Sequence, residues 1–206
     1  MKRLISLALL SSAVGYADIH SDLMRDVNFQ TRSDETVETN LGDVEINYSG
    51  MSYEYNSKVF IGHTQKSSDV MRDYLISIGV TSHERCRDQS INVYDVEEEV
   101  LMSPQVYETI DWGDSSRSSS YGSRIAGLYD DTGPRTEPVT IYVDIDLFTT
   151  DRTRIISHEM AHFWHDQLCL SRQDIDTEQM AQDFETYYLE RVNDRQYRRP
   201  RTPYSR

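Results

Sequence analysis

A chain of 206 residues, 37% hydrophobic and 27% charged, has room for one domain with a real core and little room for a second. A net charge of -14 at pH 7 argues against nucleic acid or an anionic membrane as a partner. No run of about 18 apolar residues is present to span a bilayer, so stable membrane insertion is not expected.

The chain opens with Lys2 and Arg3, an apolar run from Leu4 to Val14, and small residues in Gly15-Tyr16-Ala17. This is the pattern of an export signal cleaved after Ala17, and it predicts a periplasmic or secreted protein. Residues 1–17 are then a signal peptide, and no cysteine stands near the cleavage site to carry a lipid anchor. Residues 18–42 are polar and acidic with weak periodicity, and read as a loosely held lead-in that leaves room for an inhibitory segment. From Val44 apolar residues alternate: Val44, Ile46 and Tyr48, then Tyr53, Tyr55 and Val59-Phe60-Ile61. Two strands with a hairpin near Ser49-Gly50 are predicted. Ser67 or Ser68 then caps a helix that sets Val70, Met71, Tyr74, Leu75 and Ile78 on one side and ends at Gly79.

Ile91 to Val96 reads as the next strand, Glu97-Glu98-Glu99 as a solvated run, and Asp114 to Ser123 as a Ser-rich surface loop. A short strand from Ile125 to Tyr129 closes at a turn on Gly133-Pro134. The clearest strand follows, with Val139, Ile141, Val143, Ile145 and Leu147 alternating with Thr140, Tyr142, Asp144 and Asp146. Thr149, Thr150 or Asp151 can cap a helix running to about Leu168, and a second helix runs from Asp176 or Thr177 to about Val192. Residues 194–206 hold Arg195, Arg198, Arg199, Arg201 and Arg206 and read as a basic, flexible tail. Strands with one helix first and two helices last predict an α+β domain over residues 43–193.

The chemistry concentrates at His158-Glu159-Met160-Ala161-His162. Histidines at i and i+4 on a helix project from one face, one above the other, so two nitrogens can reach one ion. Glu159 lies about 100° round the helix from His158. It is placed to take a proton from zinc-bound water and return it to a leaving amine. Ile155, Ile156, Met160, Ala161, Phe163 and Trp164 give the apolar frame that such a site needs. A catalytic zinc takes three protein ligands and keeps one open position.

Downstream, Glu178, Ala181 and Phe184 stand at three-residue intervals on the predicted second helix. Here the sequence resembles the gluzincin metallopeptidases, in which a Glu on a following helix is the third ligand, with a small residue and then an apolar one on the same face. The resemblance covers residues 139–190. It implies a zincin-like fold: a small twisted mixed sheet, an active-site helix and a C-terminal helix. It implies one zinc per chain on His158, His162 and Glu178, with Glu185 as the alternative ligand or as a carboxylate that orients a ligand His. The strand before the helix is where such a peptidase would offer backbone to an extended peptide. The metzincin pattern is absent, since no Gly and third His follow His162 at the required spacing.

The expectation is therefore an exported zinc metallopeptidase acting on a peptide or protein substrate, with an endopeptidase favoured over an exopeptidase. The competing class is a non-catalytic exported zinc-binding or interaction protein on the same fold. His165 is the residue that could complete a closed structural site. Tyr188, then Tyr187 and His165, are candidates for stabilising the oxyanion. Asp174 and Asp176 are further candidates for orienting a ligand. His20, His63 and His83 read as surface or loop histidines, and Cys86 and Cys169 can form one disulfide.

Overall fold

The computed structural model describes residues 27–51, 55–82, 84–86, 90–102, 118–121, 124–131 and 138–193. Residues 1–17, expected as a signal peptide, the turn expected at Gly133-Pro134, His20, His83 and the tail from residue 194 lie outside the described residues. Among the described residues, six strands form one mixed sheet: β1 (Thr31–Val37), β2 (Val44–Gly50), β3 (Ser90–Val96), β4 (Ser118–Tyr121), β5 (Arg124–Asp130) and β6 (Val139–Asp144). Their order across the sheet is β1-β2-β3-β6-β5-β4. The central strands β2, β3 and β6 run parallel, while β1 and the β5-β4 pair add antiparallel flanks. Among the described residues there are four helices, α1 (Tyr55–Ser77), α2 (Glu98–Leu101), α3 (Thr149–Gln167) and α4 (Thr177–Asn193), with a 3-10 turn at Leu170–Gln173.

Alternation explains the strands. In β2, Val44, Ile46 and Tyr48 are buried while Glu45 and Asn47 face out. The main core lies between one sheet face and helices α1, α3 and α4, with Ile46, Val93, Ile141, Met71, Phe163, Trp164 and Phe184 inside it. A smaller core of Val96, Leu101, Leu128 and Tyr142 covers the other face. β6 is thus buried on both sides, as a central parallel strand should be.

Three expectations are corrected. The lead-in expected over residues 18–42 contains β1, which pairs with β2 from Thr31↔Gly50 to Val37↔Val44. Its pattern is weak because it is an edge strand, mostly solvated. The Ser-rich stretch expected as a loop contains β4. The Glu run is solvated as expected, with Glu97 and Glu99 exposed, and leads into α2.

The largest change is α1. Tyr53 to Ile61 reads as a strand by its alternation, yet one 23-residue helix starts at Tyr55 and absorbs it. Ser67 and Ser68 are buried interior residues of that helix, not caps. Its buried face runs through Ser57, Phe60, Thr64, Ser67, Met71 and Tyr74, at helical spacing. The small hydroxyls survive burial by bonding locally: Thr64 Oγ1 donates to Phe60 O at 3.1 Å, and Ser67 Oγ to Thr64 O at 2.8 Å. Ser67 Oγ in turn accepts from Trp164 Nε1 at 3.3 Å, which docks α1 on α3.

Cys86 and Cys169 form a disulfide, with Cα atoms 5.5 Å apart and a sequence separation of 83 residues. Closing a loop of that length stabilises the fold by about 4–5 kcal/mol on chain entropy. The bond ties the segment before β3 to the end of α3, and Cys86 N also donates to Gln167 O at 2.9 Å.

Candidate metal centre

α3 carries His158, Glu159 and His162, and its position is fixed at both ends. Expected caps at Thr149, Thr150 or Asp151 are not used: the N-cap is Phe148, with no side-chain cap bond. The anchor is Arg152 instead. Its Nη1 donates to Asp144 O at 3.1 Å, and its Nη2 pairs with Asp95 Oδ2 at 2.7 Å in the interior. Beyond the far end, Cys169 and Asp174 adopt left-handed backbone (φ 55° and 56°) and reverse the chain. Asp176 then caps α4, its Oδ1 accepting from Gln179 N at 2.7 Å. Ala181 and Phe184 are fully buried, and Phe184 meets the ring of Tyr74 edge-on.

This reversal brings three atoms together. His158 Nε2 and His162 Nε2 lie 3.2 Å apart. Glu178 Oε2 lies 3.6 Å from the first and 3.5 Å from the second. Donor atoms about 2.0–2.1 Å from a tetrahedral metal ion stand roughly 3.3–3.4 Å from one another. The triangle therefore has the edge lengths that one ion needs, and His158, His162 and Glu178 can hold a metal ion.

The outward nitrogens are also engaged. His158 Nδ1 faces Glu185 Oε2 at 3.3 Å, and Glu185 Oε1 pairs with Arg154 Nε at 2.6 Å. His162 Nδ1 meets Thr177 Oγ1 at 3.0 Å. Tyr129, from β5, stacks on the His162 ring with centroids 5.8 Å apart and donates to Asp166 Oδ2 at 2.9 Å.

The electrostatics favour a cation. Burial alone would lower the proton affinity of His158, but its contacts with Glu178 and Glu185 and the field of Glu159 outweigh burial and hold its pKa at about 10. Burial would likewise raise Glu178. Its contacts with His158, His162 and Gln182 instead hold it well below the usual carboxylate range. Glu159 is fully buried beside these groups.

Of the other candidates, Glu185 sits behind His158, outside the triangle. Tyr188 and His165 are engaged away from the triangle. Tyr188 is buried in the core with its hydroxyl 2.6 Å from His63 Nδ1. His165 Nε2 is 2.9 Å from Ile175 O, and this contact fastens the chain reversal. Tyr187 packs on Tyr74 and under the Arg191 guanidinium. Asp176 serves as the cap, and Asp174 as the left-handed residue that ends the 3-10 turn. His63 is no surface residue: it lies in α1, half-buried, with Nε2 3.2 Å from Thr153 Oγ1.

β6 has no edge to offer an extended peptide, since β3 and β5 flank it; the sheet edge on that side is β4. Thr177, Arg154 and Tyr129 escaped sequence reasoning. Thr177 and Arg154 had a signal, being neighbours of the site on the same two helices. Tyr129 had none, because β5 reaches His162 only through the tertiary fold.

Among the described residues, no helix is long and apolar enough to cross a membrane. No protein-family model, curated protein or solved structure matches the chain.

Proposed function

We propose that this chain is an exported zinc-dependent peptidase that hydrolyses peptide bonds, an endopeptidase of the gluzincin type. The observation that carries the reading is the triangle of His158 Nε2, His162 Nε2 and Glu178 Oε2, with edges of 3.2, 3.5 and 3.6 Å, beside the buried carboxylate of Glu159. Two imidazoles and one carboxylate are the donor set of a catalytic zinc that keeps a position open. The ion, when bound, supplies Lewis acidity: it acidifies water and polarises the scissile carbonyl.

Glu159 accepts the proton of the attacking water and delivers it to the leaving amine. Met160, Ala161, Phe163 and Trp164, all buried, keep bulk water from the helix and strengthen its few charged contacts. Glu185 and Thr177 orient the two imidazoles. The Cys86–Cys169 disulfide supports export, because such bonds persist in oxidising compartments.

The test is Glu159→Gln in the purified protein. Hydrolysis of a peptide library should fall by roughly 10²- to 10⁴-fold. Elemental mass spectrometry should still find one zinc per chain. A parent protein without stoichiometric zinc, or a variant as active as the parent, would sink the proposal. One observation favours a second reading, a zinc-binding interaction protein without catalysis: Glu159 is 0% exposed. In that case the parent holds zinc and cleaves nothing.

A further inference from the structure

Three atoms can meet around an ion only if both histidines present a bare Nε2, so both must carry their proton on Nδ1. The two imidazoles reach this tautomer differently. His158 Nδ1 faces the carboxylate of Glu185 at 3.3 Å, a group that only accepts when ionised, and this charge favours the proton on Nδ1. His162 Nδ1 faces the hydroxyl of Thr177 at 3.0 Å, a group that can accept or donate.

Thr177 is the first residue of α4, where a hydroxyl is ordinarily explained as a helix cap. That role is already filled. Asp176 Oδ1 takes the Gln179 N–H at 2.7 Å. The Thr177 side chain is turned instead to the metal helix. Glu178, the next residue, approaches the other nitrogen of the same ring at 3.5 Å. The first turn of α4 thus grips His162 at both nitrogens.

Resting on the metal-centre reading above, we propose that Thr177 is a positioning residue. Its hydroxyl accepts from His162 Nδ1–H and holds that imidazole in the one tautomer and ring orientation that present Nε2 to the ion. His162 is almost fully buried, so removing the hydroxyl takes from its N–H the acceptor it meets on α4, and an unpaired buried donor is costly. The arrangement also couples the ligand set: any shift of the α4 start moves the third ligand and the orienting hydroxyl together.

The experiment compares zinc affinity, by competition with a chromogenic chelator, in the parent, Thr177→Val, Thr177→Ala and Thr177→Ser. Thermal melting of the metal-free proteins runs beside it. Thr177→Val keeps the shape and removes the acceptor, and should weaken zinc by roughly 10- to 100-fold. Thr177→Ala should do the same without the β-branched methyl groups. Thr177→Ser should recover most of the affinity. The cobalt-substituted Val and Ala proteins should show an altered visible spectrum, and the Ser protein the parent's. Metal-free melting within a few degrees across the set separates positioning from a folding defect. Zinc affinity in Thr177→Val and Thr177→Ala within twofold of the parent would overturn the proposal and leave the three-ligand centre standing. A parent that binds no zinc would overturn both.

Discussion

Two histidines on neighbouring helices show how surroundings decide what a buried imidazole is for. His63 on α1 and His158 on α3 are both largely withdrawn from water, and burial pushes both toward the neutral form. For His63 the nearby charges agree with burial: Lys66 and Arg152 are cations, and its pKa falls to about 4. For His158 they oppose it: Glu178, Glu185 and Glu159 surround the ring, and its pKa rises to about 10. His63 is a neutral bridge between the Tyr188 and Thr153 hydroxyls, tying α1 to α4 and α3. His158 sits in a negative pocket built to be completed by a positive charge. The fold contains an electrostatic position that repels a cation and another that attracts one, on helices that pack together.

The strongest test of that contrast is to supply the cation. An ion that binds only the folded protein stabilises it by about 4 kcal/mol when free ion is a thousand times its dissociation constant. Urea unfolding in excess zinc should show a gain of this order for the parent, reversed by a chelator. Glu178→Ala should show almost none of the gain. A similar zinc-dependent gain in both proteins would mean that the ion binds somewhere other than the triangle.

A smaller effect belongs to His63. Its folded pKa of about 4 lies below the value of 6.5 for an exposed histidine, so the unfolded chain binds the proton more readily. The contribution of neutral His63 is present above pH 6.5 and is lost as pH falls from 6.5 toward 4. The loss should reach about 2–3 kcal/mol. His63→Gln can keep the two hydroxyl contacts and cannot titrate. Subtracting its pH profile from the parent's, both metal-free, should leave a slope confined to that window. A flat difference would show that His63 is hydrated in both states.

What could be read from the sequence follows the range of the interactions involved. The His158–His162 pair, the N-terminus of α4 at Asp176 and the β6 alternation are set within about one turn or a few residues, and their patterns are visible there. The first turns of α1 were not legible. Its inner face uses Ser57, Thr64, Ser67 and Ser68, and the hydroxyls of the last three bond locally, so an interior surface looks polar. At the same time Tyr53, Tyr55 and Val59 imitate a strand's period. His63 was misjudged for the same reason, since its partners Tyr188 and Thr153 are 125 and 90 residues away. β1 was hidden by being an edge, where a mostly solvated strand leaves little to alternate. Within the site, the donors contributed by α3 and α4 could be proposed from spacing, whereas the Tyr129 stacking depends on how β5 meets α3.

The finest distinction is between the two carboxylates of α4. Glu178 Oε2 addresses both Nε2 atoms, while Glu185 Oε2 addresses only His158 Nδ1 and its other oxygen is held by Arg154. Seven residues apart on one helix, they share a face, which is why spacing alone left the third ligand open. Glu185→Gln keeps the length and one acceptor oxygen and removes only the charge. It should weaken zinc by about tenfold, or about 1.4 kcal/mol, through a less basic His158. The His63 slope between pH 6.5 and 4 should not change, because burial, Lys66 and Arg152 set that histidine's proton affinity. Complete loss of zinc in Glu185→Gln, with Glu178→Gln still binding, would move the third ligand seven residues along α4. The negative pocket around His158 would remain, but its open side would then face Nδ1, and the roles of Glu178 and Thr177 at His162 would have to be exchanged for structural ones.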